Sequence, residues 1–313
     1  MKRKKRLKTK VKVTIIIVIL LLCASIGFLL WPKFAKPIGY QVTYKPRFTI
    51  QEGVLHDEIA GFQEDFPELT YNEIWINEIP VLEVYKDDNI PKKLVYVIHG
   101  LNGYKEGNGY LLSRLAQEGY YAVSYDCYGF GERYSRKIMI PEIIKKTGLD
   151  LNILNDYYLN SDFISSKDYG ITSVSLGGLA TYWIAVNADV QPRIIAPAAA
   201  TPDFSTIDVE YLVDFGIDNW VMDEGYLGHV QSKNILLKEN PLNKIEKYLP
   251  MSIIIGHGTE DALIPYYSEI DFCNMLEQMG HEDVTICLYD NVGHYYPDGF
   301  VGRMLLKMKE VLN

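Results

Sequence analysis

From Pro91 onward the chain alternates short continuous apolar runs with longer stretches of helical period, and this rhythm restricts the fold more than any other feature of the sequence. The runs Leu94–Ile98, Tyr121–Tyr125, Ile171–Val174, Arg193–Ala196, Ser252–Gly256 and Val284–Tyr289 are rich in Val, Ile, Leu and Tyr. Between and after them the spacing predicts helices over Tyr110–Glu118, Leu151–Ser165, Gly177–Ala188, Pro265–Met279 and Val301–Leu312. Strands that are apolar on both faces belong in a parallel sheet covered by helices on each side. Ahead of them, Tyr71–Ile76 and Ile79–Tyr85 alternate about Asn77-Glu78 as a hairpin does. The expected fold class is therefore α/β, a mostly parallel sheet flanked by helices, with an antiparallel hairpin leading in.

The run Ile171–Val174 stops at Ser175 and opens into Leu176-Gly177-Gly178. A strand that turns sharply into a helix forces the residue between them into a strained conformation and exposes its side chain, which needs small neighbours; this is the nucleophile elbow. Ser173 stands where the usual G-x-S-x-G pattern has its first glycine. A small residue, serine and glycine at these offsets arise by chance about 0.3 times in such a chain, so the surroundings must decide. A serine nucleophile needs a general base, a group that orients the base and donors for the oxyanion. The strand Leu94–Ile98 ends in His99-Gly100-Leu101-Asn102-Gly103, where the N–H of Leu101 can join that of Leu176 at an oxyanion. His99 itself reads as a hydrogen-bonded turn residue. Asp261 follows the strand Ser252–Gly256; an N-capping aspartate is the alternative reading, and Glu260 is the rival carboxylate. His294 follows the last strand, after Gly293. Ser175, Asp261 and His294 each lie past the carboxyl end of a strand, in the order Ser, acid, His.

His56, His229, His257 and His281 are spare: His56 and His281 read as structural or solvated, and His229, in the cap, as solvated, with contact to the substrate as the alternative. The glycine-rich loop Asp126-Cys127-Tyr128-Gly129-Phe130-Gly131-Glu132 lacks the Lys-Ser/Thr of a phosphate-binding loop and opens no helix, which excludes nucleotide binding. Between Pro197 and Pro250 the strand–helix rhythm is interrupted by a segment rich in large apolar residues. A stretch that long should carry helices of its own. It reads as a helical cap over the carboxyl edge of the sheet, with extra packing or a self-association surface as the alternatives.

The first twelve residues hold eight Lys or Arg and no acid, and Val13–Trp31 is an apolar run of nineteen residues. As a helix it is about 28 Å long, enough for a hydrocarbon core of about 30 Å. The run exceeds the apolar region of a cleaved signal and is not followed by a good small-x-small cleavage site; Leu21-Leu22 before Cys23 disfavours a lipoprotein anchor. The division expected is a basic cytoplasmic tail at 1–12, a transmembrane anchor at 13–31, a juxtamembrane linker at 32–70 and the folded domain at 71–313, with the cap at about 197–250. The positive-inside rule leaves that domain extracytoplasmic. Residues 37–313 carry 21 basic against 40 acidic side chains, which argues against nucleic acid as a partner. Cys127, Cys273 and Cys287 show no metal-ligand spacing. They read as small buried hydrophobes, and Cys273 with Cys287 is the pair expected if an oxidising compartment closes one disulfide.

HGLNGYKEG from His99, DCYGFGER from Asp126, SVSLGG from Ser173, GTEDALIP from Gly258 and NVGH from Asn291 together resemble the dienelactone-hydrolase-like and prolyl-oligopeptidase-like esterases of the α/β-hydrolase superfamily. The resemblance covers roughly residues 71–313 apart from much of the cap. It implies the α/β-hydrolase fold, Ser175 as nucleophile, Asp261 as acid, His294 as base, and Leu101 and Leu176 as oxyanion donors. Dienelactone hydrolases proper use a cysteine at the position of Ser175, so the serine points to ester hydrolysis. The expectation is a membrane-anchored extracytoplasmic serine hydrolase of small-molecule carboxylic esters, with the lipid bilayer as its other partner and neither cofactor nor metal. The alternatives are a serine peptidase of the prolyl-oligopeptidase type and a non-catalytic surface binding protein on the same fold.

Overall fold

The computed structural model describes residues 50–52, 57–134, 139–207 and 225–313. Among them nine strands form one sheet: β1 (Ile50–Glu52), β2 (Thr70–Ile76), β3 (Ile79–Tyr85), β4 (Lys92–Ile98), β5 (Tyr121–Tyr125), β6 (Ile164–Val174), β7 (Ile194–Ala198), β8 (Ser252–Gly258) and β9 (Val284–Tyr289). Their order is β1-β2-β3-β5-β4-β6-β7-β8-β9. The pairs from β1 to β5 are antiparallel and all others parallel. The hairpin turns where expected, with Asn77 at φ 57° and Ile76 paired to Ile79.

Strand alternation divides the core between two faces. Leu94, Tyr96 and Ile98 of β4 enter one apolar cluster, while Val95 and Val97 enter the other. The first cluster is closed by α3 (Ile140–Tyr158), α4 (Leu176–Asn187) and α6 (Tyr267–Gln278); the second by α1 (Asp57–Asp65), α2 (Gly109–Gln117) and α7 (Asp298–Leu312). A fully buried sheet needs apolar residues at every position, which is what the continuous runs supply. The chain reverses direction across the sheet at β4, whose neighbours are β5 and β6. In open α/β sheets the crevice outside the carboxyl ends at such a reversal is where ligands bind.

The structure departs from the sequence expectation in several places. The helix expected over 151–165 runs instead over Ile140–Tyr158, and Ile164–Ser165 open β6. Pro141 lies in its first turn, where its missing N–H is not needed. Gly148 weakens the helical signal but is required by packing, since a Cβ there would lie 2.5 Å from the Trp183 ring. Residues 50–52 and 57–65, placed in the linker by sequence, form β1 and α1, and the folded unit spans Arg47–Asn313.

Of the segment 197–250, the first two residues complete β7, Phe204–Thr206 form a 3-10 turn, α5 spans Gly225–Lys238 and a further 3-10 stretch spans Pro241–Tyr248. α5 lies against α3, and the 241–248 stretch against α4, with Leu236 and Tyr248 buried in the core. Residues 208–224 lie outside the described residues, as do the expected transmembrane run at 13–31 and its basic flank. Among the described residues no helix is long and apolar enough to cross a membrane. Cys127, Cys273 and Cys287 are buried free thiols. The pair Cys273–Cys287 is not bridged because the sheet separates the two: Cys273 belongs to one apolar cluster and Cys287 to the other.

Candidate active site

Ser175 sits between β6 and α4 at φ 52° and ψ −120°, a conformation that a non-glycine residue holds only when its surroundings impose it. Its N–H donates to Ala198 O at 2.9 Å and its carbonyl accepts from Leu179 N at 3.0 Å, so the turn is clamped on both sides. Glycine at 177 follows from contact with backbone, because a Cβ there would meet Ile98 O at 2.4 Å. At 178 a Cβ would meet that of Ala200 at 2.4 Å. Ser173 fits the elbow because its buried hydroxyl is hydrogen-bonded to that of Thr181 at 2.8 Å, leaving no unsatisfied group.

Two loops bring the other polar groups to the serine. Thr259 N donates to Tyr289 O at 3.0 Å and Glu260 N to Val292 O at 2.9 Å, tying the turn after β8 to the turn after β9. Gly258 permits that approach, since a Cβ would lie 2.1 Å from Val292 O. The result is a continuous chain of hydrogen bonds. His294 Nε2 lies 2.7 Å from Ser175 Oγ, and His294 Nδ1 lies 2.8 Å from Asp261 Oδ2. Asp261 Oδ1 accepts from the N–H groups of Leu263 and Ile264, each at 2.9 Å. Burial by itself would raise the Asp261 pKa, but hydrogen bonds from His257, His294 and Ile264 outweigh it and hold the carboxyl well below the usual carboxylate range. Asp261 thus closes its own turn rather than capping α6, which begins at Tyr267, and the rival Glu260 is exposed.

Leu176 is the first residue of α4, where backbone N–H groups lack intrahelical acceptors. Leu101 lies in the turn after β4, and both line the same cavity as Ser175 and His294. That turn is held by Asn102 at φ 57° and by Gly103 N donating to Gly100 O at 3.1 Å. His99 pins it from behind: Nδ1–H donates to Gly100 O at 2.8 Å, and Nε2 accepts from Cys127 N at 2.9 Å. Burial pushes His99 down to about 4, so the ring is neutral and structural, as its place in the turn suggested. Asp126 accepts from Lys105 N at 2.8 Å and Glu132 N at 2.9 Å, so that loop is clasped by its own carboxylate.

The cavity has a volume of 430 Å³ and is mainly apolar, with Ile140, Leu179, Ile207 and Ile264 among its walls. Thr201 and Thr206 contribute to it from the segment that interrupts the strand–helix rhythm. Of the spare histidines, His281 is structural, its Nε2 donating to Met251 O at 2.8 Å and its Nδ1 accepting from Asp283 N at 3.0 Å. The side chains of His56 and His229 lie outside the described residues. His257 was not expected at the site, yet its Nε2 lies 3.1 Å from Asp261 Oδ2. The signal available in the sequence was a histidine near the end of a buried strand with acids four and twelve residues on.

A family model described as the prolyl oligopeptidase family matches residues 112–307. "Putative esterase YitV" of Bacillus subtilis (strain 168) is 24% identical over 205 residues, which are 61% of this chain and 78% of that protein. Acetyl xylan esterase from Paenibacillus sp. R4 superposes with a TM-score of 0.63 at 15% identity, covering 84% of this chain and 89% of that one. Pyrococcus horikoshii acylaminoacyl peptidase superposes with a TM-score of 0.60 at 16% identity, covering 83% of this chain and 44% of that one. With a family match across most of its folded unit, and the sheet order and flanking helices described above, this chain belongs to the prolyl oligopeptidase family of hydrolases and has the α/β-hydrolase fold.

Proposed function

We propose that this protein hydrolyses carboxylic esters through an acyl-enzyme on Ser175. The observation that carries the reading is the hydrogen-bonded series Ser175 Oγ, His294, Asp261, with spacings of 2.7 and 2.8 Å at the mouth of an apolar cavity. Ser175 Oγ attacks the ester carbonyl carbon while His294 Nε2 takes its proton, and the N–H groups of Leu101 and Leu176 stabilise the oxyanion. His294 returns the proton to the departing alkoxide as the carbon–oxygen bond breaks. Water, deprotonated by His294, then attacks the acyl carbon; the acid leaves and Ser175 regains its proton. Asp261 remains ionised and supports the imidazolium in both halves.

The apolar cavity and the relatives named as esterases favour an ester with an apolar acyl group over a peptide. Replacing Ser175 with Ala should lower turnover of short-chain nitrophenyl esters by more than about a thousandfold; undiminished turnover removes Ser175 from the reaction. The family match supports a peptidase as the second reading, which greater turnover of aminoacyl amides than of matched esters would favour. A non-catalytic binding role predicts no labelling of folded protein by a fluorophosphonate.

In the same reading residues 197–250 cap the carboxyl edge of the sheet, Val13–Trp31 spans the bilayer, and residues 1–12 stay cytoplasmic. The charge asymmetry of the N-terminus and the length of the apolar run support this placement. It predicts recovery in the membrane fraction and digestion of the hydrolase domain by protease added outside intact cells; a protected domain overturns it.

A further inference from the structure

His257, next to last in β8, is fully buried and shares the Asp261 Oδ2 oxygen with His294. Its Nε2 lies 3.1 Å from that oxygen and 2.8 Å from Ile264 O, and its Nδ1 is hydrogen-bonded to Glu269 Oε2. Glu269, on α6, accepts a further bond at 3.0 Å from the hydroxyl of Tyr182, on α4. Glu269 and Tyr182 are fully buried as well.

Both ring nitrogens of His257 face oxygens. A neutral imidazole offers one donor and one acceptor, so one proton must lie on Nε2 and another between Nδ1 and Glu269. The His257–Glu269 pair is therefore neutral as a whole, whichever atom holds the shared proton more closely. Burial opposes a charge on the ring, but Glu269 and Asp261 outweigh it and raise His257 to about 10, while burial pushes Glu269 up. The other groups around the pair are Tyr266, with its ring centroid 6.4 Å from that of His257, and Cys273 on α6, whose buried thiol is pushed up to about 12.

We infer that His257 and Glu269 are positioning residues: the His257 Nε2–H keeps the Asp261 carboxylate ionised and directed at His294, and Glu269, anchored by Tyr182, keeps that proton in place. The inference rests on the acyl-enzyme reading of Ser175. Through it, the hydrogen-bonded series continues inward from Ser175 to Tyr182 and joins the turn after β8 to two helices of the core. The carboxylate is held from four sides, by the Leu263 and Ile264 N–H groups and by the two histidines.

The test compares two substitutions in the full chain. Asn at 257 places its amide near the position of Nδ1 and leaves Asp261 with His294 as its one side-chain donor; Gln extends an N–H toward the position of Nε2. His257→Asn should lower kcat for a nitrophenyl ester about tenfold or more, with KM within about twofold, and His257→Gln should restore kcat to within about threefold of the native value. Loss of the donor frees the Asp261 carboxylate to turn away from His294, so the His294 Nδ1–H proton, hydrogen-bonded to Asp261, should lose its downfield NMR position in His257→Asn and regain it in His257→Gln. That resonance needs no substrate. If the native protein turns over no ester, the ester reading fails while the resonance still decides the role of His257. An unmoved resonance in folded His257→Asn overturns the inference, whether kcat is retained or falls with a lowered Tm, as a packing role alone predicts.

Discussion

Asp261 is the residue on which the charge state of the site depends, and two independent contacts place it: its own turn N–H groups and the histidines. Asp261→Asn retains shape but removes the charge that supports an imidazolium at His294, and turnover of a nitrophenyl ester should fall by about a hundredfold or more. The same carboxyl links folding to acid. Its folded pKa lies below the unfolded value of about 3.9, so the stability it contributes is complete above that pH and lost as pH falls toward the folded value. Native protein should therefore lose stability between about pH 4 and 2 more steeply than Asp261→Asn, as measured by urea unfolding across that range. Ser175 and His294 were legible because each ends a recognisable local pattern. His257 was not, because acids four and twelve residues on become a signal only once the fold turns both Asp261 and Glu269 onto its ring.

The elbow between β6 and α4 depends on contacts with two neighbouring strands. Gly177→Ala places a methyl group 2.4 Å from Ile98 O, and backbone cannot yield cheaply, so the protein should lose about 1–3 kcal/mol in urea unfolding. Ser173→Gly removes only a satisfied hydroxyl, and ester turnover should stay within about threefold of native. At the opposite flank of the switch point, Lys105 is buried among Glu73, Glu106 and Glu132, which joins β2 to the loops after β4 and β5. Burial, with the neighbouring Glu106, pushes Glu73 up to about 7. A raised carboxyl binds its proton more tightly when folded, so its cost is absent below about pH 4 and complete above about pH 7. Glu73→Gln should thus raise Tm at pH 8, by a stabilisation on the order of 1 kcal/mol, and the gain should vanish near pH 4. Most elements could be read from apolar period alone. The first half of α3 could not, since Pro141, Gly148 and its β-branched residues hide a helix that packing against Trp183 rewards.

The folded unit, Arg47–Asn313, has its apolar clusters on the two faces of one sheet, and this organisation decides what the thiols can do. Cys127, Cys273 and Cys287 are buried, and burial pushes each thiol up. They should resist a disulfide thiol reagent in native protein and all react in denaturant, followed by release of the coloured thiolate. Residues 47–313 prepared without the basic and apolar N-terminus should retain a cooperative thermal transition and ester turnover within about twofold of the full chain.

The α/β class, most strand positions and the chain order of serine, acid and histidine were set by patterns a few residues long: continuous apolar runs, small residues at a turn, glycines beside polar groups. Such patterns act through local sterics and burial, so they survive in a sequence without its fold. Only the tertiary structure decided which groups meet. Ser175 and His294 are 119 residues apart and Asp261 and His294 are 33 apart, and their contacts exist because β6, β7, β8 and β9 stand side by side. The same order puts Cys273 and Cys287 on opposite faces of the sheet, and the folding of the turn after β8 sets His257 beneath Asp261 with a carboxylate from α6 behind it. Strand order is a property of the whole chain, and no short window encodes it.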